Sequence, residues 1–160
     1  MPDGTSDVIL PACKRYGKAP AMKRPYRIVI ADDHAYFRQD LEKMLTEKRE
    51  FSVIGQAYDG LDLLDFLKTE VPDMVILDIS MPRLNGLNTA GEIKIKYPGV
   101  AILMLTMHKD EEYITRALSA GADGYLLKEE VDRELFIALD CIRSGRIYLS
   151  PSCPSSRRGN

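Results

Sequence analysis

The sequence predicts a doubly wound α/β domain, a parallel sheet with helices on both faces. Three observations lead there. Five short apolar runs alternate with five segments whose apolar residues recur at helical spacing. The connections between them are short, and right-handed crossovers then require parallel strands. The central run, Val75-Ile76-Leu77, shows no polar alternation, so it reads as a strand buried on both faces, yet it ends abruptly in Asp78.

The elements follow in order. Residues 1–24 mix Pro, Gly, Ser and charges without periodicity and are expected to form a disordered extension. The domain is expected over 25–145. Arg27-Ile28-Val29-Ile30-Ala31 is the first strand and runs into Asp32-Asp33; from His34, the apolar residues Phe37, Leu41, Met44 and Leu45 mark the first helix. Phe51 to Ala57 is the second strand, Asp59 an N-cap, and Leu61, Leu64 and Leu67 lie on the second helix. Met74 to Leu77 is the third strand. Leu84, Leu87, Ala90, Ile93 and Tyr97 suit the third helix, closed by Pro98-Gly99. Val100 to Leu105 is the fourth strand with Thr106 at its end, and Tyr113, Ile114, Ala117 and Leu118 trace a helix stopped at Gly121. A short strand from Gly124 to Leu127 leads to Lys128, and Val131, Leu135, Ala138, Leu139 and Ile142 make the fifth helix. Residues 146–160 are expected to be a linker and tail.

Bulk properties narrow the function. At 160 residues and 45% apolar, the chain suffices for one sizeable core. No apolar run approaches the ~20 residues that span a bilayer, and no signal-peptide core precedes Cys13. Cys13, Cys141 and Cys153 are an odd number without metal-ligand spacing; Cys141 reads as a small buried residue, the other two as tail residues, and the cytoplasm fits best. The net charge of −2 is unevenly spread: residues 1–24 carry +3, the last four residues +2, and the body between them −7. Such a body is a poor match for nucleic-acid phosphates.

At the carboxyl ends of strands one, three, four and five stand Asp32-Asp33, Asp78, Thr106 and Lys128. In open α/β sheets, ligands bind at that edge. Three adjacent carboxylates would repel by roughly 1 to 4 kcal/mol per pair and raise one another's pKa, so positive charge must offset them. Lys128 supplies one charge. Hard oxygen ligands without a sulfur or imidazole set point to Mg2+ for the rest. Asp78 beside such a metal, facing a lysine and a hydroxyl, is equipped to receive a phosphoryl group as its nucleophile.

The ordered set Asp32-Asp33, Asp78-Ile79-Ser80-Met81-Pro82 with Asn85-Gly86, Thr106, and Tyr125-Leu126-Leu127-Lys128 closely resembles the receiver domain of bacterial two-component response regulators, over about Arg27 to Arg143. The resemblance implies a flavodoxin-like (CheY-like) fold with five strands in the order 2-1-3-4-5. It also implies that Asp78 takes a phosphoryl group from a phosphohistidine on a sensor histidine kinase. Asp33 would bind Mg2+ directly, Asp32 largely through water, and the backbone carbonyl of Ser80 would complete the set. Thr106 would hydrogen-bond the phosphoryl group and Tyr125 would report it. Such a protein is not an enzyme in the usual sense: it phosphorylates and dephosphorylates itself at Asp78 alone. Leu105-Thr106-Met107-His108 and Gly145-Arg146-Ile147-Tyr148-Leu149-Ser150-Pro151 look like the LuxR/NarL subfamily, which carries a helix-turn-helix domain on its C-terminal side. The nine residues after Pro151 are too few for that domain, so DNA contact would come only through an output domain outside this chain, with homodimerisation on activation.

There are departures from the pattern. Glu129 follows Lys128 where proline is frequent, so no cis peptide is expected there, and Met107 replaces a small residue and would narrow access to Asp78. Ser80 and His108 occupy positions that in the family influence phosphoryl lifetime. Two other classes share the chemistry or the fold. An aspartate-nucleophile phosphatase wants a second acid where Ser80 stands, and a flavodoxin-like cofactor binder would meet repulsion from Asp32-Asp33. Within the receiver reading, a stand-alone receiver acting on a protein partner is the alternative to a transcriptional regulator.

Overall fold

The computed structural model describes residues 24–154. It comprises β1 (Tyr26–Ala31), α1 (Ala35–Thr46), β2 (Phe51–Ala57), α2 (Gly60–Leu67), β3 (Met74–Leu77), α3 (Gly86–Lys96), β4 (Ala101–Thr106), α4 (Glu111–Ser119), β5 (Gly124–Leu127), α5 (Val131–Arg143) and β6 (Tyr148–Leu149). A 3₁₀ turn, Lys128–Glu130, joins β5 to α5. The strands pair in the order β2-β1-β3-β4-β5-β6, every pair parallel. The predicted order 2-1-3-4-5 is present, and one strand is added at the β5 edge.

β3 lies between β1 and β4, and its four residues are buried on both faces. That is why its sequence carries no polar alternation. The helices cover the sheet with the stripes their spacing dictates. α5 buries Val131, Leu135, Ala138, Leu139 and Ile142, and α1 buries Leu41 and Leu45. Asp59 caps α2 by accepting the Asp62 N–H at 2.8 Å. α3 starts later than its apolar pattern suggests: Leu84 lies in the loop before it, and Asn85 caps the helix by accepting the Asn88 N–H at 2.9 Å.

The linker expected from residue 146 instead returns to the domain. Gly145, at φ +85°, turns the chain back after α5, and Tyr148 and Leu149 pair with Gly124 and Tyr125. Two needs explain the return. Glu134 and Glu130 are buried carboxylates on the α5 side; the Tyr148 hydroxyl donates to Glu134 at 2.5 Å and the Ser152 hydroxyl to Glu130 at 2.6 Å. Ser150 Oγ accepts the Leu127 N–H at 2.8 Å, closing the open edge of β5. Cys153, read as a tail residue, is fully buried, and Cys141 is buried on α5. Residues 1–23, with Cys13, and 155–160 lie outside the described residues. Among the described residues no peptide bond is cis, and no helix is long and apolar enough to cross a membrane.

Candidate functional site

Strand register builds the site. Ala31 pairs with Leu77 and Thr106 with Leu127, so Asp32, Asp78 and Lys128 are each the first residue beyond a paired strand end. The Asp78 N–H donates to the Ala31 carbonyl at 2.9 Å, which fixes how far the aspartate projects. The loop after it is held close by a glycine: a Cβ on Gly86 would stand 2.1 Å from the Asp78 carbonyl oxygen.

The structure brings together Asp32, Asp33, His34 and Asp78, whose ligand atoms lie within 4.8 Å of one another. Lys128 reaches into the cluster, with Nζ 2.7 Å from Asp32 Oδ2 and 3.5 Å from Asp78 Oδ2. The lysine thus favours Asp32 over Asp78. Neither Oδ2 receives an aligned hydrogen bond, although both aspartates are almost fully buried. Buried carboxylate oxygens left this way are costly unless another cation joins them, and so the donor set fits a divalent metal. Burial, and after it the charge of Asp32, push the Asp78 carboxyl up to about 6, with Lys128 pulling the other way. The mutual repulsion expected of the carboxylates is therefore secondary to desolvation.

Ser80 is exposed; its N–H lies 3.4 Å from Asp78 Oδ1, and its hydroxyl meets His108 Nε2 at 3.0 Å. This contact links the loop after β3 to the loop after β4. The His108 ring stacks on Tyr113, with centroids 4.2 Å apart. Thr106 is fully buried and accepts the His108 N–H at 3.1 Å, while the Tyr125 hydroxyl donates to the His108 carbonyl at 2.8 Å. Tyr125 thus points inward, and burial raises its phenol well above the ordinary value. Met107 is 73% exposed and lines a cleft of about 720 Å³ that also borders Tyr36, Phe37, Asp33, His34 and Lys128. It flanks the approach rather than filling it.

Sequence reasoning missed several participants. The ligand set was expected to lack imidazole, yet His34 Nδ1 lies 3.0 Å from Asp32 Oδ1 and 3.2 Å from Asp33 Oδ1. Its adjacency to the two acids was the available signal. Phe37 lies under the ammonium, 4.6 Å from Lys128 Nζ to the ring centroid, and the Arg38 guanidinium bonds the Asp32 carbonyl. Arg83, at φ +63°, forks onto the buried Asp59 at 2.5 and 3.1 Å, tying the loop after Asp78 to the start of α2. The Arg83 contact holds the Asp59 carboxyl below its ordinary range. No local pattern announces an arginine in the left-handed region.

Fold and site together define a doubly wound α/β domain with an acidic pocket at the carboxyl edge of its sheet. Residues 28–140 match the model of the response regulator receiver domain. Over 125 residues the chain is 37% identical to the transcriptional regulatory protein DegU of Brevibacillus brevis, covering 78% of this chain and 53% of that one. Over 131 residues it is 37% identical to the oxygen regulatory protein NreC of Staphylococcus epidermidis, covering 81% and 60%. The chain thus spans little more than half the length of these relatives. Among solved structures, a LuxR-family two-component response regulator from Aurantimonas sp. SI85-9A1 superposes with a TM-score of 0.78 at 27% identity, covering 82% of this chain and 94% of that one. The signal receiver domain of the response regulator NarL from Mycobacterium tuberculosis gives 0.73 at 30% identity, covering 77% and 99%. The isolated receiver domain of RcsB from Salmonella enterica serovar Typhimurium, solved with a phosphomimetic beryllium fluoride, gives 0.75 at 26% identity, covering 82% and 96%. The chain belongs to the receiver-domain family of two-component response regulators, with LuxR/NarL-type relatives, and its role is phosphorelay signalling.

Proposed function

We propose that Asp78 accepts a phosphoryl group from a phosphohistidine of a sensor histidine kinase. One observation carries this reading: Asp78 is buried, its Oδ2 lacks a hydrogen bond, and an ammonium stands 3.5 Å away. A carboxylate held short of partners and beside a cation is suited to nucleophilic attack. Its oxygen bonds to phosphorus as the phosphorus–nitrogen bond breaks, and the donor imidazole leaves with the electron pair. Asp32, Asp33, Asp78 and the Ser80 carbonyl would hold Mg2+, which, when bound, supplies positive charge to the phosphoryl oxygens. Lys128 turns from Asp32 toward the new anion, and the Thr106 hydroxyl donates to it.

Thr106 then releases the His108 N–H, and Tyr125, already buried, gives up its bond to the His108 carbonyl and fills the space that Thr106 leaves. The loop from Met107 to Asp110 shifts, and the face built from α4, β5 and α5 changes. Carrying a two-state equilibrium from mostly inactive to mostly active takes about 5.5 kcal/mol, which a few charge-assisted hydrogen bonds and a dimer contact together supply. The output is transcriptional, through a DNA-binding domain outside this chain; the name of DegU, a transcriptional regulatory protein, supports it. In this reading the protein works in the cytoplasm.

Beryllium fluoride with Mg2+ tests the switch. Amide resonances from Thr106 to Lys128 are expected to shift on binding in the wild-type protein and to stay fixed in Asp78→Asn. Binding at Asp78 that leaves those amides unmoved would sink the switch.

A further inference from the structure

His34 is the residue of the acidic pocket to which the phosphorelay reading gives no task. We propose that its imidazole is a metal ligand, so that this site takes divalent transition cations such as Mn2+ or Co2+ over Mg2+ more strongly than an all-oxygen site does. The inference rests on the metal-dependent reading of Asp78 above.

Three observations support it. Two donors on neighbouring vertices of an octahedron with bonds of about 2.1 Å lie ~3.0 Å apart. His34 Nδ1 stands 3.0 Å from Asp32 Oδ1, as a hydrogen bond, and 3.2 Å from Asp33 Oδ1, the spacing that ligation beside each would require. Second, three carboxylates share the Lys128 ammonium: it pairs with Asp32 Oδ2 at 2.7 Å and stands 3.5 Å from Asp78 Oδ2, neither oxygen receives an aligned hydrogen bond, and the ligand atoms of Asp32, Asp33, His34 and Asp78 all lie within 4.8 Å. Third, the imidazole is committed to the acids and to no other part of the fold: its ring hydrogen bond is to Asp32 Oδ1, and a cation arriving there would take the place of the proton on Nδ1. His34 sits at the N-cap of α1 but its side chain makes no capping bond, and it is 66% exposed at the cleft beside Tyr36 and Phe37. The His34 N–H donates to Asp32 Oδ1 at 2.8 Å, which steers the ring over the acids through the backbone.

Chemistry then sets the metal class. Mg2+ favours oxygen and water, whereas an imidazole nitrogen strengthens binding of the later first-row divalent ions. The carboxylates therefore hold Mg2+ through oxygen alone, and a transition cation through oxygen plus the His34 Nδ1.

The chain has two histidines, which makes the test specific. The full chain is loaded with Mn2+ and read by electron spin-echo envelope modulation, with Mn2+ and Mg2+ affinities measured by calorimetry on the wild type, His34→Gln, His108→Ala and Asp33→Asn. Imidazole nitrogen modulation is expected in the wild type and in His108→Ala and absent in His34→Gln. With it, His34→Gln is expected to lose at least about tenfold in Mn2+ affinity while Mg2+ affinity holds. Equal Mn2+ affinity with no imidazole modulation in the wild type overturns the proposal and leaves Asp78 as the acceptor untouched. No divalent binding at all, or binding indifferent to Asp33→Asn, overturns the metal-dependent reading beneath it as well.

Discussion

Two aspartates bracket the same four-residue strand and have opposite fates. Asp73, just before β3, is saturated. Arg24 forks onto it at 2.8 and 2.9 Å, and the Arg27 N–H donates at 2.8 Å. The Arg24 bond leads the contacts that hold its carboxyl below the ordinary range. Asp78, just after β3, is more deeply buried and has fewer partners, and its carboxyl is pushed up to about 6. An acid surrounded by donors is a clasp, here fastening the chain before β1 to the amino edge of the sheet. An acid deprived of them keeps its interaction capacity for something that arrives from outside.

The contrast predicts that neutralising the two acids changes stability in opposite directions. For Asp78 the folded value of about 6 exceeds the ordinary 3.8. Charging it therefore costs stability as pH rises from about 4 to 6, and the full cost is present above that window. Asp78→Asn is expected to stabilise the metal-free protein at pH 7.5 by up to ~3 kcal/mol, a gain that vanishes near pH 3, as urea unfolding would measure. A loss of stability would break the contrast. Gly86→Ala leaves the carboxylate intact but drives a Cβ to 2.1 Å from the Asp78 carbonyl. A destabilisation of about 2 kcal/mol and slower phosphorylation are expected, read by thermal unfolding and by adduct formation in time. Asp73→Asn removes charge-assisted hydrogen bonds at a half-buried position and is expected to cost about 1–2 kcal/mol at neutral pH. Because the Asp73 pKa is lowered on folding, that stabilisation is present above the ordinary carboxylate value and disappears as pH falls through the folded one. A cost that persists at low pH would mean that packing, not charge, holds Asp73.

The same contrast shows what the sequence can and cannot carry. Asp78 was legible because a run of apolar residues ending in an acid is unusual, and because strand alternation alone places Asp32, Thr106 and Lys128 at the same edge. Asp73 carried no such mark: its partners Arg24 and Arg27 lie 49 and 46 residues away in the chain. The sixth strand was invisible for a related reason. Two residues are too few for a periodic signal, and what recruits Tyr148 is Glu134, a residue that reads as a surface position until its burial is known. Local patterns reveal elements and the direction in which they deliver side chains. Pairings between distant polar groups emerge only when the sheet is assembled.

In the phosphorelay reading, Asp78 is the position at which this receiver is written. Intact-protein mass spectrometry after incubation with acetyl phosphate and Mg2+ tests it most directly. One alkali-labile phosphoryl adduct per chain is expected, mapped to Asp78 and absent from Asp78→Asn. An adduct that persists in Asp78→Asn, or sustained turnover of unrelated phosphomonoesters by the wild type, would contradict it.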